Sequence, residues 1–236
     1  RLGPPVDEAF ALHGWPDLPV GTVATRRGAV MAASDRFELH VHGRGSHAAW
    51  PHRSADPVVC AAAIVTAMQS IVARNVDPLD AAVVSITVIE SGSAFNVIPD
   101  RAVIKGTYRS LSEDTRCMLE RRMAEVAEGT ARAHGCTVTC DFHRGYPVTV
   151  NDDGAVERFN GVARAALGAD RVREFAVPVM GGEDFAFFGP VVPSCYWALG
   201  LARPGEAFPP LHAPDFDFND DAIAVGVELM CRLAVR

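Results

Sequence analysis

The chain has 236 residues, of which 49% are hydrophobic and 22% charged, and this composition excludes a disordered chain and fits one large globular domain or two modest ones. Its formal net charge of −7 argues against a surface for nucleic acid or anionic membranes. No apolar run approaches the ~20 residues that cross a membrane, and no signal-peptide pattern opens the chain, so we expect a cytoplasmic protein.

The predicted elements begin with a short apolar segment at residues 9–12, which ends at His13 in the sequence His-Gly-Trp-Pro. A turn rich in proline and glycine follows. Residues 22–25 and 28–33 are then predicted as strands or as a linker that crosses between domains.

The next six elements form one supersecondary unit. The strand at 35–43 alternates apolar and polar side chains, and Asp56-Pro57 opens a helix with a cap residue followed by proline. A second helix is capped by Ser112 and ended by His134-Gly135. The order is strand, helix, strand, strand, helix, strand, with the strands at 35–43, 82–90, 101–109 and 136–143. This order predicts a ferredoxin-like βαββαβ sandwich with both helices on one face of the sheet.

Beyond residue 145 the predicted elements are sparser. One helix is capped around Asp152, a last helix follows Asn219, and between them lie a short strand near 173–177 and a buried strand at 194–201. We infer one discontinuous domain interrupted by the sandwich. Its three or four strands are too few to bury both faces of a layered α/β sheet.

The six cysteines form no Cys-x-x-Cys pair. Cys136 and Cys140 would lie on one face of a strand about 13 Å apart, at ~3.3 Å per residue, which is too far for a disulfide. We therefore expect buried free thiols and a reducing compartment.

Three of the eight histidines are predicted to lie in loops dense with glycine and proline, where a rigid backbone can hold a side chain for chemistry. They are His13, His47 and His212. Because neutral imidazole is the commonest metal ligand, His13 and His212, each at the end of an apolar segment of the discontinuous domain, predict a metal site assembled in space. The histidines on strand faces and at the ends of elements are better explained as solvated side chains.

Seven stretches of the chain resemble the aminoacylase and hippurate hydrolase family of dinuclear metal amidohydrolases, relatives of which cleave indole-acetyl amino acids. They are ALHGWPDLPVGTVATRRGAVMAASDRF, GRGSHAAWPH, DPVVCAAAIVTAMQSIVARNVDP, SGSAFNVIPD, GTYRS, MGGEDFAFF and LHAPDFDFND. The resemblance implies an α/β fold. In it, a partial metallopeptidase-type α/β/α catalytic domain (1–33 and 145–236) carries an inserted ferredoxin-like dimerisation and lid domain (34–144).

The resemblance also implies roles for the three histidines. His13, in Leu-His-x-x-Pro, and His212, in Leu-His-x-Pro, are similar to ligands on opposite sides of two divalent metal ions, which would be zinc, manganese, cobalt or nickel. His47 resembles the catalytic histidine that the inserted domain projects toward the metal site of the other subunit of a homodimer. There it would polarise the scissile carbonyl and stabilise the oxyanion.

Further residues resemble substrate-binding positions of the family. These are Asn96, Arg109 and the loop Gly181-Gly182-Glu183, with the Arg109 guanidinium suited to a substrate carboxylate. Simpler explanations stay open: Asn96 as a turn residue, Arg109 as a surface charge at a strand end, and Glu183 as a helix cap.

The chain departs from the family pattern in one respect. The Cys-Gly-His and Pro-x-Glu-Glu segments, which supply further ligands and the general base, do not occur in it. A catalytic zinc takes about three protein ligands plus water, and the two histidines supply only two ligands for a pair of ions. Asp7, Glu8, Glu183 and Asp217 match no ligand of the pattern.

We therefore predict a metal-dependent amidohydrolase, with an incomplete site in this chain, that cleaves N-acyl amino acids or similar amides to a carboxylic acid and an amino acid. The alternative is an inactive truncated module of the same family that dimerises or binds a partner. An acidic binding protein without catalytic ancestry would leave the histidine-bearing loops unexplained.

Overall fold

The computed structural model describes residues 6–203, 205 and 209–235. The chain folds into two compact units. Unit 1 comprises Arg1–Met31, Thr149–Val179 and Glu183–Arg236, and unit 2 comprises Ala32–Val148 and Met180–Gly182.

The described residues form strands and α-helices that we number in chain order. The strands are β1 (Ala9–Pro19), β2 (Val23–Thr25), β3 (Gly28–Met31), β4 (Ala33–His42), β5 (Ser46–His47), β6 (Ala82–Ser91), β7 (Val97–Ile98), β8 (Arg101–Ser110), β9 (Thr137–Tyr146), β10 (Thr149–Asn151), β11 (Val172–Glu174) and β12 (Ser194–Ala202). The α-helices are α1 (Pro57–Asn75), α2 (Glu113–Ala133), α3 (Asp153–Leu167) and α4 (Ile223–Ala234).

Unit 2 is the predicted βαββαβ sandwich. Its sheet has the strand order β6-β8-β4-β9, and every neighbouring pair is antiparallel. Helices α1 and α2 pack on one face around a fully buried core that includes Phe37, Ile64, Ile104 and Leu119. The alternation along β4 explains this, since Phe37, Leu39 and Val41 are buried while the residues between them are not.

The helix ends of unit 2 follow their sequence signals. The Asp56 carboxylate accepts hydrogen bonds from Val58 N and Val59 N at the start of α1, beside proline at the first helical position. The Ser112 hydroxyl accepts a hydrogen bond from Thr115 N at 3.1 Å. Helix α2 ends at His134, and Gly135 then takes a φ of +70°, a conformation that glycine adopts without strain.

Helix α1 is long and apolar enough to cross a membrane, with 19 residues and a mean hydropathy of 1.6. The expectation that no apolar run approaches this length was therefore wrong. Within unit 2, however, the helix turns Cys60, Ile64, Met68 and Ile71 toward the sheet at helical spacing. Packing in the core accounts for its apolar face.

Unit 1 contains a mixed sheet with the strand order β1-β12-β2-β11 and a two-stranded sheet of β10 and β3. Strands β1 and β12 run parallel, with Ala9 opposite Ser194 and His13 opposite Ala198. Helices α3 and α4 cover one sheet face, where Phe159 stacks on Trp197 with 4.9 Å between ring centroids. Strand β12 is buried from Ser194 to Leu201, as its apolar run predicted.

The sequence prediction placed His13 and His47 in loops, and this was wrong for both. Strand β1 continues through His13 to Pro19, because β12 provides a partner for it as far as Ala202. His47 belongs to the two-residue strand β5, because β7 pairs with it. A short apolar run does not reveal such tertiary pairing.

The cysteines are all free, but they are not all buried. Cys60, Cys136 and Cys195 are buried, whereas Cys117 and Cys231 are exposed. Burial raises the pKa of the Cys60 thiol to about 12 and that of Cys195 to about 12. The expectation of buried thiols was therefore right for three positions and wrong for two.

Candidate functional site

His13 is held in a defined tautomer on β1. Its Nδ1 lies 2.7 Å from the Gly14 carbonyl oxygen. A carbonyl oxygen only accepts hydrogen bonds, so Nδ1 carries the proton and Nε2 keeps its lone pair. A backbone carbonyl commonly fixes a metal-binding histidine in this way.

His212 lies on the same cavity as His13. This cavity of unit 1 has a volume of about 460 Å³, and its remaining lining is largely apolar, with Leu12, Leu211, Phe216 and others. His212 is exposed and takes a φ of +66°, the left-handed conformation that a residue with a side chain adopts at an energetic cost. Such strain is often found at functional sites.

Tyr196 lies beside His13 and was not singled out from the sequence. It is 2% exposed, its ring centroid is 6.4 Å from that of His13, and its hydroxyl donates a hydrogen bond to Glu183 Oε2 at 3.1 Å. Burial, followed by the negative charge of Glu183, raises the pKa of Tyr196 above its usual value. The tyrosine within an otherwise apolar run was the available signal, because a buried tyrosine hydroxyl normally has a partner.

Glu183 is a helix cap. Its Oε1 accepts a hydrogen bond from Asp184 N at 3.0 Å at the start of a short 3-10 helix, Asp184–Phe187. With Oε2 bonded to Tyr196, both carboxylate oxygens have partners within unit 1. Glu183 therefore orders the loop and orients Tyr196.

His47 and Asn96 lie together on a small ribbon of unit 2. His47 is opposite Val97 in the β5–β7 pair, and Ala48 N donates a hydrogen bond to Asn96 O at 3.0 Å. The His47 Nδ1 accepts a hydrogen bond from Ala49 N at 3.1 Å, so the neutral ring carries its proton on Nε2. The exposed imidazole therefore presents a hydrogen-bond donor at Nε2. The ring centroid of Trp50 lies 5.1 Å from that of His47.

Arg109 and the glycine loop form a second group in unit 2. Arg109 is opposite Ser34 in the β4–β8 pair, and its Nη1 donates a long hydrogen bond to Met180 O at 3.4 Å. Gly181 O accepts a hydrogen bond from Ala32 N at 2.8 Å. A Cβ atom on Gly182 would lie 2.5 Å from the Ser34 Cβ, so only glycine fits there.

The two groups in unit 2 stand at opposite ends of one strand. The ribbon with His47 and Asn96 adjoins the start of β8 at Arg101, where Gly43 N donates to Asp100 O and β7 leads into the strand. Arg109 lies eight residues further along β8, which at ~3.3 Å per residue is about 26 Å. One copy of unit 2 therefore cannot bring both groups to the same small molecule.

The donor atoms at His13 and His212 suit a transition metal such as zinc, which takes imidazole nitrogen. Among residues 6–203, 205 and 209–235, however, no group of three or more His, Cys, Asp or Glu side chains could hold a metal ion. Two carboxylates considered as further ligands already have other partners. Glu183 bonds to Asp184 N and to the Tyr196 hydroxyl, and Glu8 forms an ion pair with Arg158. Even if both histidines bound metal, the described residues would thus fall short of the about five or six ligands that a pair of ions requires.

The chain is similar to known proteins over nearly its whole length. Over residues 2–236 the chain matches the family profile described as Peptidase family M20/M25/M40. It is 36% identical over 230 residues to N-acetylcysteine deacetylase of Bacillus subtilis (strain 168), covering 98% of this chain and 59% of that protein. It is 35% identical over 235 residues to IAA-amino acid hydrolase ILR1-like 2 of Arabidopsis thaliana, covering 98% of this chain and 53% of that protein. The chain thus spans somewhat more than half the length of these relatives.

The chain is also similar to a solved structure over nearly its whole length. The YXEP protein of Bacillus subtilis, described as a dinuclear metal binding peptidase from the M20 family, superimposes with a TM-score of 0.78 at 30% identity, covering 98% of this chain and 57% of that one. The resemblance carried by the seven stretches and the α/β fold class that it implies are both confirmed.

Proposed function

The chain belongs to peptidase family M20/M25/M40, and from that premise we propose that it serves the metal-dependent hydrolysis of N-acyl amino acids to a carboxylic acid and an amino acid. The observation that carries the proposal is the cavity of unit 1 that His13 and His212 share, with the Nε2 lone pair of His13 left available. The names of the two relatives, a deacetylase and an amino acid hydrolase, support this substrate class.

We assign His13 and His212 as ligands of divalent metal ions. Such ions, when bound, polarise an amide carbonyl and lower the pKa of water. The apolar wall beside the two histidines, which includes Leu12 and Phe216, suits the acyl group of such a substrate. The remaining ligands and the general base belong to residues other than these two.

We assign His47 as the donor to the amide carbonyl. Its Nε2–H, fixed by the Ala49 N–H bond to Nδ1, suits the negative charge that develops on the oxygen during hydrolysis. Asn96, in the turn just before β7, adds an amide group. Arg109 offers a guanidinium for the carboxylate of the amino acid product.

The 26 Å between the ends of β8 supports a site built from two copies of the chain. His47 and Asn96 of one copy would then act on a substrate held by Arg109 and the Gly181-Gly182 loop of the other. Strand β6 is a suitable interface, because it is an edge of the sheet with no lysine or proline to discourage pairing, and Ile89 on it is 54% exposed. The free thiols favour a reducing compartment, and we place the protein in the cytoplasm.

Metal binding tests the assignment directly. Because two histidines are fewer than the about three protein ligands of a catalytic zinc, we expect the chain to bind zinc or manganese only weakly in a titration, and His13→Ala and His212→Ala to lose this binding. The exposed His52→Ala is the matched control. Amino acid release from an N-acetyl amino acid by the metal-loaded chain, lost in the same two variants, would establish the activity. Equal metal binding by His13→Ala would remove this histidine from the site.

Mixing variants tests the two-copy site. His47→Ala and Arg109→Ala chains would each be inactive alone. In an equal mixture, half of the dimers would contain one chain of each variant. In such a dimer one site would carry both substitutions, and the other site would carry neither. The mixture should then regain about a quarter of the original activity. No recovery, although mixed dimers form, would place all the groups in one chain.

The dimer itself has a separate test. Ile89→Lys places a charge on the exposed β6 edge and should yield monomers by light scattering, whereas Leu79→Lys, at a side chain that is 98% exposed in a loop, should not. A dimer that binds no metal and releases no amino acid would support the alternative of an inactive dimerising module.

A further inference from the structure

A small cavity on the α3 side of unit 1 is not used by the proposed reaction. It lies between the end of β2, α3 and the end of β11, and it has a volume of about 200 Å³. Trp197 packs on α3, so the adjacent Tyr196 faces away from this helix toward His13. The cavity shares no lining residue with the one at His13 and His212.

The lining of this cavity carries excess positive charge in a chain whose net charge is −7. Three arginines and two glutamates line it. Arg27 lies 3.8 Å from Glu157, so these two charges offset each other. Arg26 and Arg164 form no ion pair with any described residue, and only Glu174 opposes them.

Two polar atoms of the lining lack hydrogen-bond partners in the described structure. The Arg26 Nη1 and the Asn160 Oδ1 are both buried and unpaired. A desolvated guanidinium nitrogen without an acceptor is costly, so an acceptor should occupy this space. Turning the Asn160 amide by 180° would present its NH₂ group as a second donor, because the two orientations differ only in their hydrogen bonds.

The backbone of Arg26 is held rigidly. The Asn151 Nδ2 lies 2.9 Å from each of three acceptors, Arg26 O, Thr25 Oγ1 and Tyr196 O, which share its two hydrogens, and Tyr196 N donates to Asn151 Oδ1 at 2.7 Å. Asn151 is 2% exposed. This arrangement fixes one wall of the cavity to β12, which orders a site before a ligand arrives.

We propose that this cavity binds a small anion with a carboxylate or phosphate group, contacted by the guanidinium groups of Arg26 and Arg164 and by the amide of Asn160. The planar fork of arginine matches both groups. The volume fits a small polyatomic anion, since pockets for drug-sized ligands measure ~300–1,000 Å³.

The test uses the full chain titrated with inorganic phosphate, acetate or chloride at constant ionic strength, with Tm and heat of binding as readouts. We expect phosphate or acetate to raise Tm in a saturable manner, and the active anion to distinguish a phosphorylated from a carboxylate ligand. Arg164→Gln, at an exposed position, should weaken binding about tenfold, the loss expected for one charge-assisted contact. Glu174→Gln should strengthen it.

Arg232→Gln on α4, which removes an exposed pair with Glu228, is the control and should leave binding unchanged. Asn160→Asp, which keeps the shape and adds a negative charge, should abolish binding if the chain folds. The same Tm response in the parent, Arg164→Gln and Arg232→Gln proteins, or no response to any anion, would overturn the proposal and leave water as the occupant. None of these readouts depends on hydrolysis or metal.

Discussion

Substituting Asp35 should destabilise unit 2 more than any exposed charge would. The Asp35 side chain has no exposed surface and that of Arg116 is 6% exposed. Arg116 donates through Nη2 at 2.5 Å and Nε at 2.8 Å, and Gly145 N adds a hydrogen bond at 2.8 Å. One carboxylate thus joins β4, α2 and β9, including the strands by which the chain enters and leaves unit 2.

Asp35→Ala leaves the Arg116 guanidinium buried without its carboxylate. Breaking a buried pair in this way costs about 3–5 kcal/mol, against about 0–1 kcal/mol for an exposed pair. Arg116 keeps one bond, from Nη1 to Glu113 Oε2 at 3.3 Å, but the Glu113 side chain is 57% exposed. We therefore expect a loss near the lower end, about 3 kcal/mol.

Urea unfolding at pH 7, followed by circular dichroism, measures this loss. With a slope of about 1–3 kcal/mol/M, a loss of 3 kcal/mol moves the midpoint of unit 2 by about 1–3 M. Replacing both partners, in Asp35→Leu with Arg116→Met, should restore stability to within about 1 kcal/mol of the parent or exceed it. Asp35→Ala with a loss below about 1 kcal/mol would refute the reasoning, since the pair would then behave as an exposed one.

Three further outcomes are expected. Gly106→Ala should destabilise unit 2 by about 1–3 kcal/mol or more in the same urea assay, because its Cβ would lie 2.1 Å from a backbone oxygen of β6; an unchanged midpoint would contradict this. Burial opposes ionisation of Glu120, but bonds from Arg144 and a tyrosine hydroxyl prevail and hold its pKa below the usual value. The stabilisation of the folded chain by ionised Glu120 is therefore complete above the ordinary pKa of glutamate. It is lost as the pH falls through the lowered pKa of Glu120 in the folded state. The Glu120→Gln variant should thus be less stable than the parent at pH 7 and equally stable near pH 2. A thiol reagent at pH 8 should modify Cys117 and Cys231 rapidly and the buried cysteines only after denaturation; rapid loss of more than those two thiols and the half-buried Cys140 would contradict the burial.

Local signals in the sequence were enough for the four-stranded sheet and two helices of unit 2, but not for its β5–β7 ribbon. The Asp56-Pro57 cap, the Ser112 cap and the alternation of β4 depend on neighbours in sequence, and the structure confirms each element they predicted. The strand order follows from the order of elements, because a helical crossover places β8 between β4 and β6.

Unit 1 was harder to predict, because its sheet joins distant segments. The extent of β1 depends on its partner β12, so His13 was assigned to a loop. The Tyr196–Glu183 bond and the Asn151 contacts also join residues that no periodicity relates. The positions of the histidines and the family resemblance, in contrast, both predicted His13 and His212 as a pair, and both side chains line one cavity.

The pairing of β1 with β12 also means that β1 can join its sheet only after β12 has been translated. Ala9 leaves the ribosome long before Ser194 does, and at ~5–20 residues per second the interval is roughly 10–40 s. All of Ala32–Val148 is translated within it, so the sandwich can complete its core while the nascent β1 still waits for its neighbour. The exposed, apolar β1 is then the segment that a chaperone would shield, and slowing translation before Ser194 should lengthen that vulnerable period without disturbing the sandwich.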